Sequence, residues 1–268
     1  MGSLSLFQVL WKNRHLLWQF TLRNVELRHK GSHLGLIWSF LNPLFMVSLY
    51  VLVFGFIFRG RFKADVTESR IEFALVVFLG LSIYHFIGEV IGISPSVILT
   101  SPNLVKKVVF PLEILPVASV GAALFHFLVT LVLVFVGAAI AGVPVTKGAL
   151  LLPVILVPLF GIAVGIALLL SSVGVFWRDI AQVTQFAVLT LMFASAVFYP
   201  LSQIPAAAWT FLKFNPLLHA INEARNVVFW GAPLNPKHVL YLYACAVAAV
   251  IAGSTAFRRL RNSFADVL

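Results

Sequence analysis

An all-α integral membrane protein with six transmembrane helices is the fold class this sequence predicts, and three observations carry the prediction. Of the 268 residues, 61% are apolar and 10% are charged, where ordinary soluble domains carry about 25% charged residues. Several uninterrupted apolar runs approach or exceed the roughly 20 residues that a helix needs to cross about 30 Å of hydrocarbon. These runs are uniformly apolar rather than alternating, and lipid cannot satisfy backbone polar groups, so they are expected as helices rather than barrel strands.

The elements follow in order. Residues from about Leu4 to Arg28 place Leu6, Leu10, Leu17, Phe20 and Val25 among Trp11, Trp18 and scattered basic residues. This pattern suits an amphipathic helix lying in the cytoplasmic interface, with a plain topological anchor as the alternative. Lys12, Arg14, Arg23, Arg28 and Lys30 interrupt the first apolar residues, so no cleavable signal is expected. The six spans are expected over Leu36–Phe58, Phe73–Leu99, Leu112–Ile140, Ala149–Val175, Ile180–Tyr199 and Val239–Phe257. The 39 residues between the last two spans contain Pro200, Pro205, Pro216 and Pro233. They are too interrupted to cross a bilayer and too apolar for a free loop, which predicts two short re-entrant helices on the outer face. The domain organisation is one transmembrane unit over 1–268: an interface helix at 1–33, spans one to five at 36–199, the re-entrant segment at 200–238, span six at 239–257, and a tail at 258–268.

Charge sets the orientation. With a cytoplasmic N-terminus, the inner segments hold Lys12, Arg14, Arg23, Arg28, Lys30, Lys106, Lys107, Arg178, Arg258, Arg259 and Arg261, a majority of the 19 lysines and arginines. Four of the others, Arg59, Arg61, Lys63 and Arg70, share a loop with Asp65, Glu68 and Glu72. Both termini are therefore expected inside, which puts "SPNLVKKVVFP", Ser101 to Pro111, in a short cytoplasmic turn. The net charge of +10 is explained by positive-inside anchoring and anionic headgroups, and no nucleic-acid partner is expected.

Chemistry of its own is hard to find in the chain. Cys245 is the single cysteine, so neither an intrachain disulfide nor a cysteine metal cluster can form. There is no phosphate-binding G-x-x-x-x-G-K-[ST] loop, no kinase signature and no metal-ligand cluster, so catalytic and metal residues are expected to be none. Glu89 and Glu113 fall inside expected spans, where ionisable groups are functional candidates. They are read as either a proton relay or structural partners, with Lys106 or Lys107 as a partner for Glu113. Asp179 beside Arg178 is expected to fix a turn and cap the next helix. His85, His126 and His219 lie in different segments and define no joint site. The Gly88/Gly92 and Gly161/Gly165 spacings would allow close helix approach.

Four pieces, in order along the whole chain, resemble the permease subunit of polysaccharide-exporting ABC transporters. They are "LRHKGSHLGLIWSFLNPL" (Leu27 to Leu44), "SPNLVKKVVFPLEILP" (Ser101 to Pro116), "FWRDI" (Phe176 to Ile180) and "FNPLLHAINEARNVVFWG" (Phe214 to Gly231). The resemblance implies a homodimer in the bacterial plasma (inner) membrane with two copies of a separate ATPase, which would hold ATP and Mg while this chain binds no cofactor. The cargo implied is an undecaprenyl-linked polysaccharide such as O-antigen, moved outward among membrane lipids. It further implies that Ser101, Pro102, Asn103, Leu104, Val105, Lys106, Lys107 and Val108 form a coupling helix against the ATPase. Pro102 suits a first helical turn and Pro111 stops the segment, leaving Leu104, Val108 and Val109 to bury and both lysines to meet acidic partner residues. Positive-inside anchoring is the other reading of those lysines. Arg178 and Asp179 would form the cytoplasmic turn between spans four and five. Tyr50, Phe54, Phe58, Phe186, Phe193, Phe198 and Tyr199 would line a polymer path by stacking on sugar rings, or else face lipid or neighbouring helices. Arg28, His29, Lys30 and His33 would grip a lipid pyrophosphate, or serve as topological anchors. A drug or small-lipid exporter and a membrane-embedded lipid-carrier enzyme are the alternatives.

Overall fold

Helices account for all the regular structure among the described residues of the computed structural model, which are 6–28, 33–50, 52–53, 57, 62, 69–106 and 110–268, the side chains of Leu36, Val47 and Tyr50 excepted. The N-terminal segment forms two helices, α1 (Leu6–Lys12) and α2 (Arg14–Leu27), broken where the Asn13 side chain donates to the Val9 carbonyl at 2.8 Å. Trp38–Tyr50 forms α3, with Pro43 inside it; the remainder of the expected first span lies largely outside the described residues. Next come α4 (Arg70–Ile93), the short α5 (Pro102–Lys106), α6 (Ile114–Ala141), α7 (Leu152–Phe176) and α8 (Ile180–Ala194). Last come α9 (Ala206–Leu212), α10 (Pro216–Arg225), α11 (Pro236–Leu260) and α12 (Phe264–Val267).

The ends have local causes. Ser69 accepts from the Glu72 amide at 3.0 Å and starts α4, with Glu72 placed in the first turn where the helix dipole favours an acid. Asn215 and Asn235 cap α10 and α11 in the same way, each followed by a proline at the first helical position. Gly142 ends α6 at φ +66°, a conformation that costs glycine little.

Among the described residues four helices are long and apolar enough to cross a membrane: Arg70–Ser96, Ile114–Ala141, Lys147–Phe176 and Pro236–Val267. The first three fall within a few residues of the expected second, third and fourth spans; the last begins three residues before the expected sixth span and runs ten residues past its end at Phe257. The expected fifth span is shorter than predicted. α8 ends at Ala194 rather than Tyr199, and its 15 residues rise only about 22 Å. The chain leaves the helix because Asn215 donates to the Ala194 carbonyl at 3.0 Å and to Ser195 Oγ at 2.9 Å, tying the end of α8 to the start of α10. The two short helices expected before the last span are present as α9 and α10.

Packing centres on α4, which touches α3, α6, α7, α8 and α10. The closest pair is α7 with α11. A Cβ at Gly165 would strike the Ala249 backbone and one at Gly253 would strike Gly165, so two glycines permit backbone-to-backbone contact. α2 lies along α6: Phe20 meets Phe110 at 5.2 Å, Asn24 reaches Ser119 at 3.5 Å, and Gly121 leaves room for Thr21. Trp11 and Trp18, each 63% exposed, stay off the bundle.

Three expected contacts are corrected. Glu113 does not pair with Lys106; it is nearly buried and accepts from Arg261 Nη1 at 2.6 Å, because the chain after α11 folds back under α6. Asp179 occupies the residue before α8 without a capping side-chain bond, since its backbone is already helical at φ −70°, ψ −12°. No ion pair joins it to Arg178 among the described residues; the turn is held instead by backbone bonds such as Ile180 N to Trp177 O at 3.3 Å.

Candidate functional site

At the α5 end of the bundle, the expected coupling residues Pro102, Asn103 and Lys106 are exposed on a single short turn of helix. Ser101 is half-buried, and Leu104 and Val105 are half-buried against the core, alongside Phe110 and Leu112. The segment therefore has an apolar back fixed to the bundle and a polar, basic front. Lys107 and Val108 lie outside the described residues. α12 packs against both α5 and α7, with Phe264 wedged between Phe176 and Phe257 at centroid distances of 6.0 and 5.5 Å. Movement at α5 would thus be felt through α12 by the ends of α7 and α11.

Deeper in the bundle the structure joins groups that sequence spacing had left apart. Arg28, at the end of α2, pairs with Glu89 of α4. His126 of α6 places Nδ1 2.9 Å from Glu89 Oε1 and 2.7 Å from Arg28 Nη1. One nitrogen serves one of these at a time: it accepts from Arg28 as the Nε2–H tautomer or donates to Glu89 as the Nδ1–H tautomer. Counting 12 residues from Ile114 to His126 along α6 puts the cluster about 18 Å from that helix's start. The pair is asymmetric, with Glu89 at 16% side-chain exposure and Arg28 at 46%.

This cluster forms one wall of a cavity of about 720 Å³ between α3, α4 and α6. Phe45, Met46, Leu49, Leu81 and Phe127 line the apolar remainder, while His85 and Asn42 add polar atoms. The arrangement suits an amphiphile whose head is anionic. His33 is exposed nearby in sequence, and His29 and Lys30 lie outside the described residues. The joint site of Glu89, His126 and Arg28 was missed from sequence. The available signal was His85 and Glu89 at i and i+4, which face one side of a helix otherwise almost free of ionisable groups.

The expected path aromatics divide. Phe186 and Phe193 are 72% and 52% exposed on α8, whose buried residues are only Ile180, Thr184 and Met192. Phe198 is 6% exposed and packs on Phe193 at 6.4 Å, in keeping with the alternative of packing among neighbouring helices. Tyr199 is half-buried and its hydroxyl donates to the Phe193 carbonyl. Phe54, Phe58 and the Tyr50 side chain lie outside the described residues.

At the opposite end, α10 carries an unanticipated buried cation. Arg225 is 2% exposed and donates from Nε to Val76 O at 3.2 Å, from Nη1 to Ala196 O at 2.8 Å and from Nη2 to Val197 O at 2.5 Å. The Phe62 ring lies 4.3 Å from its guanidinium carbon. Ala196 takes φ +52°, unusual for a residue with a side chain, and this turn is what presents two successive carbonyls to one guanidinium. Nearby, Glu223 accepts from the Asn235 amide at 3.1 Å and pairs with His238 at 2.7 Å, tying α10 to the start of α11.

Comparison with known proteins follows the same outline. Residues 15–229 match the family described as ABC-2 type transporter. The O-antigen export system permease protein RfbA of Myxococcus xanthus is 27% identical over 98% of this chain and 99% of its own length. Its namesake from Klebsiella pneumoniae is 23% identical over 94% and 95%, and the polysialic acid transport protein KpsM of Escherichia coli is 22% identical over 88% and 90%. With at least four helices long and apolar enough to cross a membrane among the described residues and a family match over most of its length, the chain belongs to the ABC-2 type transporter family.

Proposed function

We propose that this chain is the membrane permease of an ATP-driven exporter that moves a lipid-linked polysaccharide of the O-antigen or capsule kind across the bacterial inner membrane. The observation that carries the reading is end-to-end similarity to relatives named as O-antigen export permeases, together with a short basic helix held at one end of the bundle. Two copies would form the path, each with six spans, α3 and α8 supplying the first and fifth, and with both termini in the cytoplasm. The exposed faces of α8 suit a second copy better than lipid alone, since Thr190 and Gln185 share them with Phe186 and Phe193. ATP and Mg would sit on a separate nucleotide-binding subunit, also in two copies, docked against α5.

The cavity between α3, α4 and α6 fits the lipid carrier, with its apolar wall against the chain and Arg28 against the pyrophosphate. Arg28 has a ready exchange. As it leaves Glu89 for a phosphate, His126 donates its Nδ1–H to Glu89 and keeps that acid partnered.

The test is ATPase activity of the chain co-purified with its nucleotide-binding subunit, comparing wild type with Lys106→Glu, Lys107→Glu. Charge reversal is expected to abolish permease-dependent stimulation or complex formation while the permease still folds. Full stimulation by the double variant, or the absence of any bound ATPase, overturns the coupling assignment.

A further inference from the structure

Beside Arg225 lies a second cavity, of about 190 Å³, lined by Tyr199, Ser202, Asn222, Arg225 and Trp230 with an apolar floor. At about 30 Å³ per water it would hold roughly six waters, the size of one sugar ring. Its polar lining is rich in donors. Arg225 has five N–H groups, and among the described residues three of them find acceptors. Among the described residues the buried Trp230 indole N–H finds no acceptor, an arrangement that proteins seldom leave uncorrected. Among the described residues no aspartate or glutamate lines the cavity, which brings a buried cation and an orphan donor together. Tyr199 and Trp230 also line it, aromatic residues of the kind against which the C–H side of a pyranose packs.

We propose that this cavity is a carbohydrate subsite that takes one acidic sugar residue of the passing polymer, its carboxylate accepting from Trp230 and from the spare N–H groups of Arg225. The proposal rests on the polysaccharide-export reading and adds to it the place and chemistry of one contact. The site lies where the end of α8, the Leu201–Gln203 turn and α10 meet, at the end of the bundle opposite α5.

The experiment uses the full chain with its ATPase in lipid nanodiscs, titrated with D-glucuronate, D-glucose and acetate and followed by saturation-transfer NMR. Glucuronate is expected to bind saturably, with glucose and acetate each at least about fivefold weaker. Trp230→Phe keeps the ring but removes the donor; it is expected to weaken glucuronate binding roughly tenfold, as loss of one hydrogen bond to a charged group does. Ser202→Ala, at the rim of the cavity, is a second variant that leaves the buried staple intact, and a twofold or greater loss is expected there. If glucuronate binds no better than acetate, or if Trp230→Phe binds as wild type and simply melts higher because an orphan donor has gone, the subsite is wrong. Surface display of polymer by a deletion strain carrying the wild-type gene separates the two ideas. Export without glucuronate binding overturns the subsite alone, and absence of export overturns the export reading and the subsite with it.

Discussion

Arg28 and Arg225 are both arginines inside a helical membrane bundle, and they are held in opposite ways. Arg28 is nearly half exposed and leans on a carboxylate that has a second partner in His126. Arg225 is sealed, and the groups that hold it are three carbonyls from two other parts of the chain plus an aromatic face. A carboxylate shared with a histidine can be surrendered; two successive turn carbonyls and a helix carbonyl converging on one guanidinium are not so easily left. The difference teaches where this fold allows charge to move and where it uses charge as a fastening.

The strongest way to break that contrast is to remove the fastening. Arg225→Ala strands the carbonyls of Ala196 and Val197, leaves Val76 with only its helix bond, and opens a cavity beside Phe62. The expected loss is about 2–4 kcal/mol, from two unsatisfied buried acceptors at roughly 1–3 kcal/mol each with partial relaxation. Thermal unfolding in detergent, and the yield of folded protein, would show it. Arg225→Lys is expected to recover little, since one ammonium on a single stem cannot meet three carbonyls set around a planar fork. A melting point near wild type for Arg225→Ala would mean the carbonyls find water and the fastening is illusory.

At the other end, the same substitution should hardly touch stability. Arg28→Ala leaves Glu89 bonded to His126, and a half-exposed ion pair contributes at most about 1 kcal/mol. Glu89→Gln should cost more, about 1–2 kcal/mol, because the amide leaves both Arg28 and His126 without their acid. Function is expected to reverse the order. Arg28→Ala should cut polymer export about tenfold or more while Glu89→Gln retains most of it, because Arg28 remains available to a phosphate. Equal loss of export in both variants would reduce the cluster to a structural clamp.

The contrast also explains how much was readable in advance. The second, third and fourth apolar runs, the two short helices before the last span and the proline-started α5 are local properties, written in periodicity and in proline and asparagine positions, and they appear where the sequence places them. The ionic partners depended on which helices touch. Glu113 turned from the nearby lysines to Arg261, almost 150 positions away, because α11 and the residues after it return beneath α6. Glu89 and His126 meet only because α4 packs on α6. Phe198 looked like its neighbours in an aromatic-rich run, yet the end of α8 at Ala194 turns it inward while Phe186 and Phe193 remain outside. Arg225 stands in the polar stretch "NEARN" and has no role assigned from sequence; three carbonyls brought from α4 and the end of α8 make its burial tolerable.

The finest test of the fastening lies at the residue that aims it. Ala196 holds φ +52°, which costs a residue with a Cβ roughly 1–2 kcal/mol, and it does so to turn its own carbonyl and that of Val197 toward Arg225. Glycine adopts the same backbone without that strain but loses about 0.5–1 kcal/mol more to chain entropy. Ala196→Gly is therefore expected to be neutral or to stabilise by up to about 0.5 kcal/mol, measured as a small upward shift in Tm. Ala196→Val should go the other way by about 1 kcal/mol or more, since a β-branched side chain resists the left-handed region and the site is buried. In an Arg225→Ala background the turn no longer serves a guanidinium and can relax, so the penalty of Val should shrink. An undiminished penalty there would show that the turn is set by the Asn215 tether at the end of α8 rather than by the buried cation.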